Sequence, residues 1–220
     1  MINTICFDLD STLVDSELVI LKAFDYVFVK YLPNDRLDLY EYRKFMGPTL
    51  YQTFSNYLSD INIINQMIKD FVDYYKTIEL DIIKLYPGVK DALIYLYNNK
   101  YNICLITNKF MSSANPSITY LDIKQYFNGF IPLDRQDNKP KPDPYAFKVV
   151  MDDYGVKEEN ILMVGDNEVD MMCAKNAGVK CALVTYNEWF EETKTKTNPD
   201  YVISNLTELI DILKKENGGL

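Results

Sequence analysis

Six short apolar runs, each four to six residues long, recur along the chain: TICF (4–7), NICLIT (102–107), GFIPL (129–133), ILMVG (161–165), CALVT (181–185) and YVIS (201–204). Runs this continuous, without apolar–polar alternation, suit strands buried on both faces, and such strands belong to parallel sheets sandwiched between helices. Helix-length segments at 88–99, 109–122, 143–154, 168–177 and 206–216 supply the crossovers. The pattern predicts an α/β fold, a Rossmann-like parallel sheet core covered by helices on both faces.

One interval breaks the rhythm. Between residues 15 and 85 there is no convincing strand, but there are amphipathic stretches at 16–31, 36–46, 49–59 and 61–80. This interval far exceeds an ordinary crossover. It is read as an inserted all-α cap domain (15–85), with the core domain formed by 1–14 and 86–220. The hinges fall at about 13–16 and 81–87, where Pro87-Gly88 punctuates the return. The terminal ENGGL is expected to fray.

The composition narrows the chemistry. With 48% hydrophobic and 14% aromatic residues among 220, a buried core is readily built. A formal charge of −9 repels nucleic acid and anionic membrane, so neither is expected as a partner. It also repels phosphorylated molecules, so a phosphate site must be built locally from a metal ion, a lysine and backbone N–H groups. Histidine is absent, which removes Ser-His-Asp and Cys-His catalysis and imidazole-ligated zinc. Cys6, Cys104, Cys173 and Cys181 are widely spaced, form no CxxC and lie in or near apolar runs, as buried reduced thiols do. Asp8 interrupts a very short N-terminal apolar stretch, and no run of 18 apolar residues exists. A cytoplasmic protein is expected.

The chemistry concentrates at the ends of the apolar runs. In FDLDSTL (7–13), Asp8 and Asp10 are two apart, so an extended backbone points both carboxylates to one side at a strand's C-terminal end. Open parallel sheets place ligands there. Two adjacent carboxylates repel unless a cation joins them or one keeps its proton. The pair therefore predicts a metal and a division of labour; turn or helix capping is the simpler alternative. NICLIT ends in Thr107-Asn108, a hydroxyl and an amide read at a helix start, where an anion is favoured. ILMVG is followed by Asp166-Asn167-Glu168-Val169-Asp170, and NKPKPDP offers Lys139 and Lys141 among three prolines. Each piece alone is a weak signal, Thr107-Asn108 being a common N-cap and Asp166 and Asp170 ordinary helix-start acids. For their arrival in order at successive strand ends, chance is a poor explanation.

DLDST, LITN, KPDP and GDNEVD resemble the four motifs of the haloacid dehalogenase-like hydrolases, in order and across nearly the whole chain. The insert resembles the helical cap of the phosphoglycolate phosphatase, pyrophosphatase and β-phosphoglucomutase branch. The resemblance implies that Asp8 is the nucleophile, forming an aspartyl-phosphate, and that Asp10 protonates the leaving oxygen and then activates water. It implies phosphate binding by Thr107, Asn108 and a loop lysine, and Mg²⁺ at Asp8, Asp166 and a backbone carbonyl near Asp10. Thr12 and Asp170 would support that shell, Asp170 by orienting the metal's waters or the lysine. Lys141, 14 residues before Gly155, has the family-like spacing, whereas Lys139 stands 16 before it. The family commonly has glycine where this chain has Ser11, so a change in turn geometry is expected there.

The same resemblance points to substrate class. Family dehalogenases lack the acid at Asp10, because halide departs without a proton, so a phosphatase or phosphomutase is implied. The mutase type uses a cap histidine, which this chain lacks; a phosphonatase would need a cap lysine such as Lys22, Lys30 or Lys44. Cap segment 43–54 (RKFMGPTLYQTF) offers Arg43, Thr49 and Gln52 as specificity contacts, or is simply a helix–helix turn. Tyr26, Tyr51, Tyr57 and Tyr74 have the spacing of core aromatics, with stacking on a nucleobase as the alternative. The expectation is a Mg²⁺-dependent phosphatase acting on a small phosphorylated substrate such as phosphoglycolate, a sugar phosphate or pyrophosphate, as a monomer or homodimer. A 5′-nucleotidase, a phosphomutase and a catalytically silent phosphate-binding module are the alternatives.

Overall fold

The apolar runs form one parallel sheet in the computed structural model, which describes residues 1–137 and 139–218; the last two residues of ENGGL lie outside the described residues. Along the chain the strands are β1 (Thr4–Phe7), β2 (Val14–Asp15), β3 (Lys84–Leu85), β4 (Asn102–Ile106), β5 (Gly129–Ile131), β6 (Ile161–Gly165), β7 (Lys180–Val184) and β8 (Tyr201–Ile203). Six of them make the sheet in the order β5-β4-β1-β6-β7-β8, while β2 and β3 form a separate two-stranded sheet. The order reverses around β1, the topological switch point where open α/β sheets bind ligands.

Register explains the unbroken apolar runs. Cys6 lies opposite Cys104 and Met163, and Phe7 opposite Leu105 and Val164. One set of alternating residues, including Cys6, Ile106, Met163 and Leu183, packs against Phe147 and Val150 of a helix at Tyr145–Tyr154 and Met171 and Ala174 of another at Glu168–Asn176. The opposite set, Ile5, Phe7, Ile103, Leu105, Leu162 and Val164, is buried as well. Each such side chain contributes about 1.5–3 kcal/mol of burial. All four cysteines are buried and free, within the first of these clusters.

The chain divides into two units, Met1–Val14 with Leu85–Leu220 and, separately, Asp15–Lys84. The second contains α1 (Glu17–Tyr31), a 3₁₀ stretch at Leu39–Phe45, α2 (Leu50–Ser55) and α3 (Ile61–Ile82). α3 buries Ile64, Met67, Phe71 and Tyr75, three or four apart, as one stripe. The interior is aromatic: Phe24 lies 4.8 Å from Phe71 and 5.3 Å from Phe45, ring centre to ring centre, and Phe28 lies 5.1 Å from Tyr42. The stretch expected to be helical at 36–46 is a 3₁₀ turn, opened by the reciprocal cap of Asp38 and Glu41. Tyr57 packs on Phe28 and Phe45, Tyr26 and Tyr74 stack on one another at 4.2 Å, and Tyr51 is exposed. Among the described residues no helix is long and apolar enough to cross a membrane.

Candidate active site

β1 delivers Asp8 one residue past its end, where the Asp8 N–H still donates to the Val164 carbonyl of β6 at 3.0 Å. The chain then turns sharply: Leu13 and Val14 N–H both donate to the Leu9 carbonyl, and Ser11 N–H donates to Val14. Ser11 occupies the left-handed region, φ 59°, with its hydroxyl buried and without a hydrogen-bond partner among the described residues. A residue with a Cβ costs roughly 1–2 kcal/mol in that conformation, so Ser11 strains the turn.

Four more elements converge on Asp8. Lys141 Nζ donates to Asp8 Oδ1 at 2.6 Å, to Asp170 Oδ1 at 2.5 Å and to the Ile106 carbonyl at 3.2 Å. Asp170, in the first turn of α7 (Glu168–Asn176), also accepts from the Asn167 N–H at 3.1 Å; the helices before it are α4 (Val89–Asn98), α5 (Met111–Tyr120) and α6 (Tyr145–Tyr154). Gly165 closes β6 because a Cβ there would stand 2.5 Å from the Asp170 Cβ. Asp166 Oδ1 accepts from Thr12 Oγ1 at 3.1 Å, and its Oδ2 accepts from Asn187 Nδ2 at 2.9 Å. Oxygens of Asp8, Asp166 and Asp170 all lie within 4.8 Å of one another.

Burial sets the electrostatics. It raises the Asp8 carboxyl to about 7, with Lys141 opposing the shift and the Asp170 and Asp10 charges adding to it. Burial raises Asp166 as well, helped by Asp170 and Asp8. For Lys141 burial alone would favour the neutral amine, but the Asp170 and Asp8 carboxylates outweigh it and keep the ammonium charged. Three clustered carboxylates against one ammonium leave a surplus of two negative charges when all are ionised. An all-oxygen cluster with that surplus fits a hard divalent cation.

The remaining residues divide between the two units. Lys139 is exposed, its ammonium 4.8 Å from the Tyr145 ring centre, so Lys141 alone of the two loop lysines reaches Asp8. Thr107 Oγ1 accepts from the Lys109 N–H at 3.1 Å, and α5 begins only at Met111, so Thr107 and Asn108 stand in the loop before the helix. The Asn108 side chain clamps the Lys141 backbone, accepting from its N–H at 2.9 Å and donating to its carbonyl at 3.2 Å. Lys109 Nζ donates to Asp10 Oδ1 at 2.8 Å. Lys109 and Asn187 had no place in the sequence reading; the first follows Thr107-Asn108 directly and was readable as a cation on a site loop, while the second has no local signal. In the Asp15–Lys84 unit, Arg43 Nε donates to Glu17 Oε1 at 2.8 Å and its guanidinium lies 4.7 Å from the Tyr40 ring centre. Thr49 and Gln52 form the reciprocal cap of α2.

Comparison with known proteins agrees with this arrangement. The model for haloacid dehalogenase-like hydrolases matches residues 5–184. The pyrophosphatase PpaX of Halalkalibacterium halodurans is 30% identical over 214 residues, covering 96% of this chain and 97% of the relative. A haloacid dehalogenase-like hydrolase of Streptococcus pneumoniae superposes with a TM-score of 0.83 at 28% identity, over 96% of this chain and 98% of that one. With motifs, sheet order and buried carboxylate cluster in agreement, the chain belongs to the haloacid dehalogenase-like hydrolase family.

Proposed function

We propose that this chain is a Mg²⁺-dependent phosphohydrolase in which Asp8 attacks phosphorus, with inorganic pyrophosphate or a small phosphate monoester as substrate. The observation that carries the reading is the buried lysine: its ammonium bonds Asp8 and Asp170 simultaneously, beside Asp166. A carboxylate attacking an anionic phosphoryl group needs positive charge close by, because charge spreads over the equatorial oxygens in transfer. At about 4 Å one such charge is worth roughly 4 kcal/mol at an effective dielectric of 20. Mg²⁺, held by Asp8, Asp166 and a backbone carbonyl at Asp10, would supply the remaining positive charge.

The residues divide the work. An Asp8 oxygen forms the bond to phosphorus while the bond from phosphorus to the leaving oxygen breaks, and Asp10 gives that oxygen a proton. Asp10 then takes a proton from water as the water attacks phosphorus and the Asp8–phosphorus bond breaks, releasing phosphate. Lys109 holds Oδ1 of the Asp10 carboxyl group in both steps, and the other oxygen gives the proton and then takes one. Thr107, whose oxygen accepts from Lys109 N–H, has its hydroxyl hydrogen to donate to a phosphoryl oxygen. Asn108 contributes by clamping the Lys141 loop. Asp170 and Thr12 orient Lys141 and Asp166. Arg43, Thr49 and Gln52 are proposed to influence specificity through the 43–54 segment, which Arg43 ties to Glu17 and in which Thr49 and Gln52 cap α2. The likeness to a pyrophosphatase over 96% of the chain makes pyrophosphate the first substrate to test.

The test is hydrolysis of p-nitrophenyl phosphate and of pyrophosphate with Mg²⁺, with EDTA and in Asp8→Asn. Turnover should require Mg²⁺ and fall below about 1% in the variant, since removing a nucleophile that acts as part of a unit forfeits most of the rate. Turnover in EDTA, or an active Asp8→Asn, refutes the mechanism. A preference for pyrophosphate over phosphoglycolate and sugar phosphates in kcat/KM decides the substrate.

A further inference from the structure

Asp166 is gripped by a loop that the proposed reaction leaves without a role. β7 runs parallel to β6 with Leu183 opposite Gly165, so the chain leaving β7 passes the chain leaving β6. There Asn187 Nδ2 donates to the Asp166 Oδ2 at 2.9 Å and to the Asp166 backbone carbonyl at 3.2 Å. Thr12 Oγ1 donates to the other carboxylate oxygen, so each oxygen of Asp166 has its own donor and the carboxylate cannot rotate without losing one.

The orientation of the Asn187 amide is dictated by its surroundings. Turned over, it would set Oδ1 against both a carboxylate and a carbonyl oxygen. As placed, Asn187 is 7% exposed and its Oδ1 is buried with no donor among the described residues. Leaving a buried acceptor unmade costs stability, and the two bonds to Asp166 are what the position gains. The residue type also matters. An amide donates without a net charge, so it fixes Asp166 while leaving intact the negative surplus that attracts a cation; a lysine there would neutralise it.

We infer that Asn187 is a positioning residue for the cation site, holding the Asp166 carboxylate in the rotamer in which it receives Mg²⁺. The inference rests on the Mg²⁺ reading above. Partners that orient ligating carboxylates typically account for about 10–100-fold in metal affinity, and that is the effect expected here.

The experiment compares the full chain with Asn187→Ala and with Asn187→Leu, which keeps the branching of the side chain without a donor. Thermal melts in EDTA and across a Mg²⁺ titration give the Mg²⁺ Kd through ligand-linked stabilisation. Both variants should melt cooperatively in EDTA and show a Mg²⁺ Kd about 10–100-fold weaker. In p-nitrophenyl phosphate hydrolysis the half-saturating Mg²⁺ concentration should rise by the same factor while the KM for the ester changes little. An unchanged Kd in either folded variant overturns the inference, and so does the loss of cooperative melting in both, which would make Asn187 a folding residue. If the unaltered protein is neither stabilised by Mg²⁺ nor dependent on it for turnover, the Mg²⁺ reading itself has failed.

Discussion

Two lysine–aspartate pairs, one in each unit, have the same N–O distance and opposite meanings. Lys141–Asp8 and Lys69–Asp73 both measure 2.6 Å. The side chains of the first are 3% and 11% exposed; those of the second, one helical turn apart on α3, are 65% and 55% exposed. Taking two ions out of water costs several kcal/mol each, recovered only where further partners satisfy them; at the surface water does that work and the pair is worth about 0.2–1 kcal/mol. The sheet unit therefore bears the desolvation cost of a buried polar cluster. The helical unit puts its charges outside and aromatic rings inside. Distance alone separates nothing; burial and the third partner, Asp170, do.

The largest effect expected from that contrast is at Lys141. Lys141→Met keeps the length of the side chain but leaves Asp8 and Asp170 buried without their cation. Turnover should fall by about 10²–10³-fold, as for removal of one donor from a charge-stabilising site, and stability by about 3–5 kcal/mol, as when one partner of a buried pair is removed. Lys139→Ala should stay within about two-fold, because an exposed lysine resting on Tyr145 has no such duty. Steady-state rates and urea unfolding read both. A larger rate loss at Lys139 would break the comparison at its centre.

Next is the aromatic interior of the other unit. Phe28 is fully buried against Tyr42, Phe45, Phe54 and Tyr57. Phe28→Ala should destabilise the Asp15–Lys84 unit by about 3–5 kcal/mol, the usual cost of a buried aromatic cavity. Calorimetry should place the lost enthalpy in that unit's transition. A loss under about 1 kcal/mol would mean that packing is not what holds the unit together.

Sequence made some of these features readable and hid others for physical reasons. Continuous apolar runs such as ILMVG and CALVT can only be satisfied by two-sided burial, and the parallel sheet followed. Asp8, Asp166 and Asp170 were legible because strand ends are fixed by local pattern, and a residue's distance from such an end fixes where it arrives. Choosing Lys141 over Lys139 rested on family spacing, and the structure shows the difference as burial against exposure. Asn187 was illegible because its importance lies in a neighbouring strand's end 21 residues away in sequence, and nothing local marks it. The start of α5 was read too early, since Thr107 accepts from Lys109 N–H and holds the loop out of the helix until Met111. The 36–46 stretch has helical spacing, but Gly47-Pro48 follows it directly and the Asp38–Glu41 cap winds it as a 3₁₀ turn.

The smallest effect is the sharpest test of the comparison. Lys69→Ala removes an ammonium that sits 2.6 Å from a carboxylate, the same length as the pair on which catalysis is proposed to depend. In α3 the change also replaces lysine with the best helix former, worth a few tenths of a kcal/mol in the opposite direction. The i,i+4 pair itself is worth about 0.3–0.5 kcal/mol, so the two terms nearly cancel. The unfolding free energy should therefore hold to within about 0.5 kcal/mol, and in 1 M salt, where the screening length falls to about 3 Å, the pair's contribution should disappear and leave the alanine variant more stable by a few tenths of a kcal/mol. A salt-insensitive loss above about 1.5 kcal/mol would show that the exposed pair behaves like the buried one, and the distinction drawn from burial would fail in the unit where it is simplest to measure.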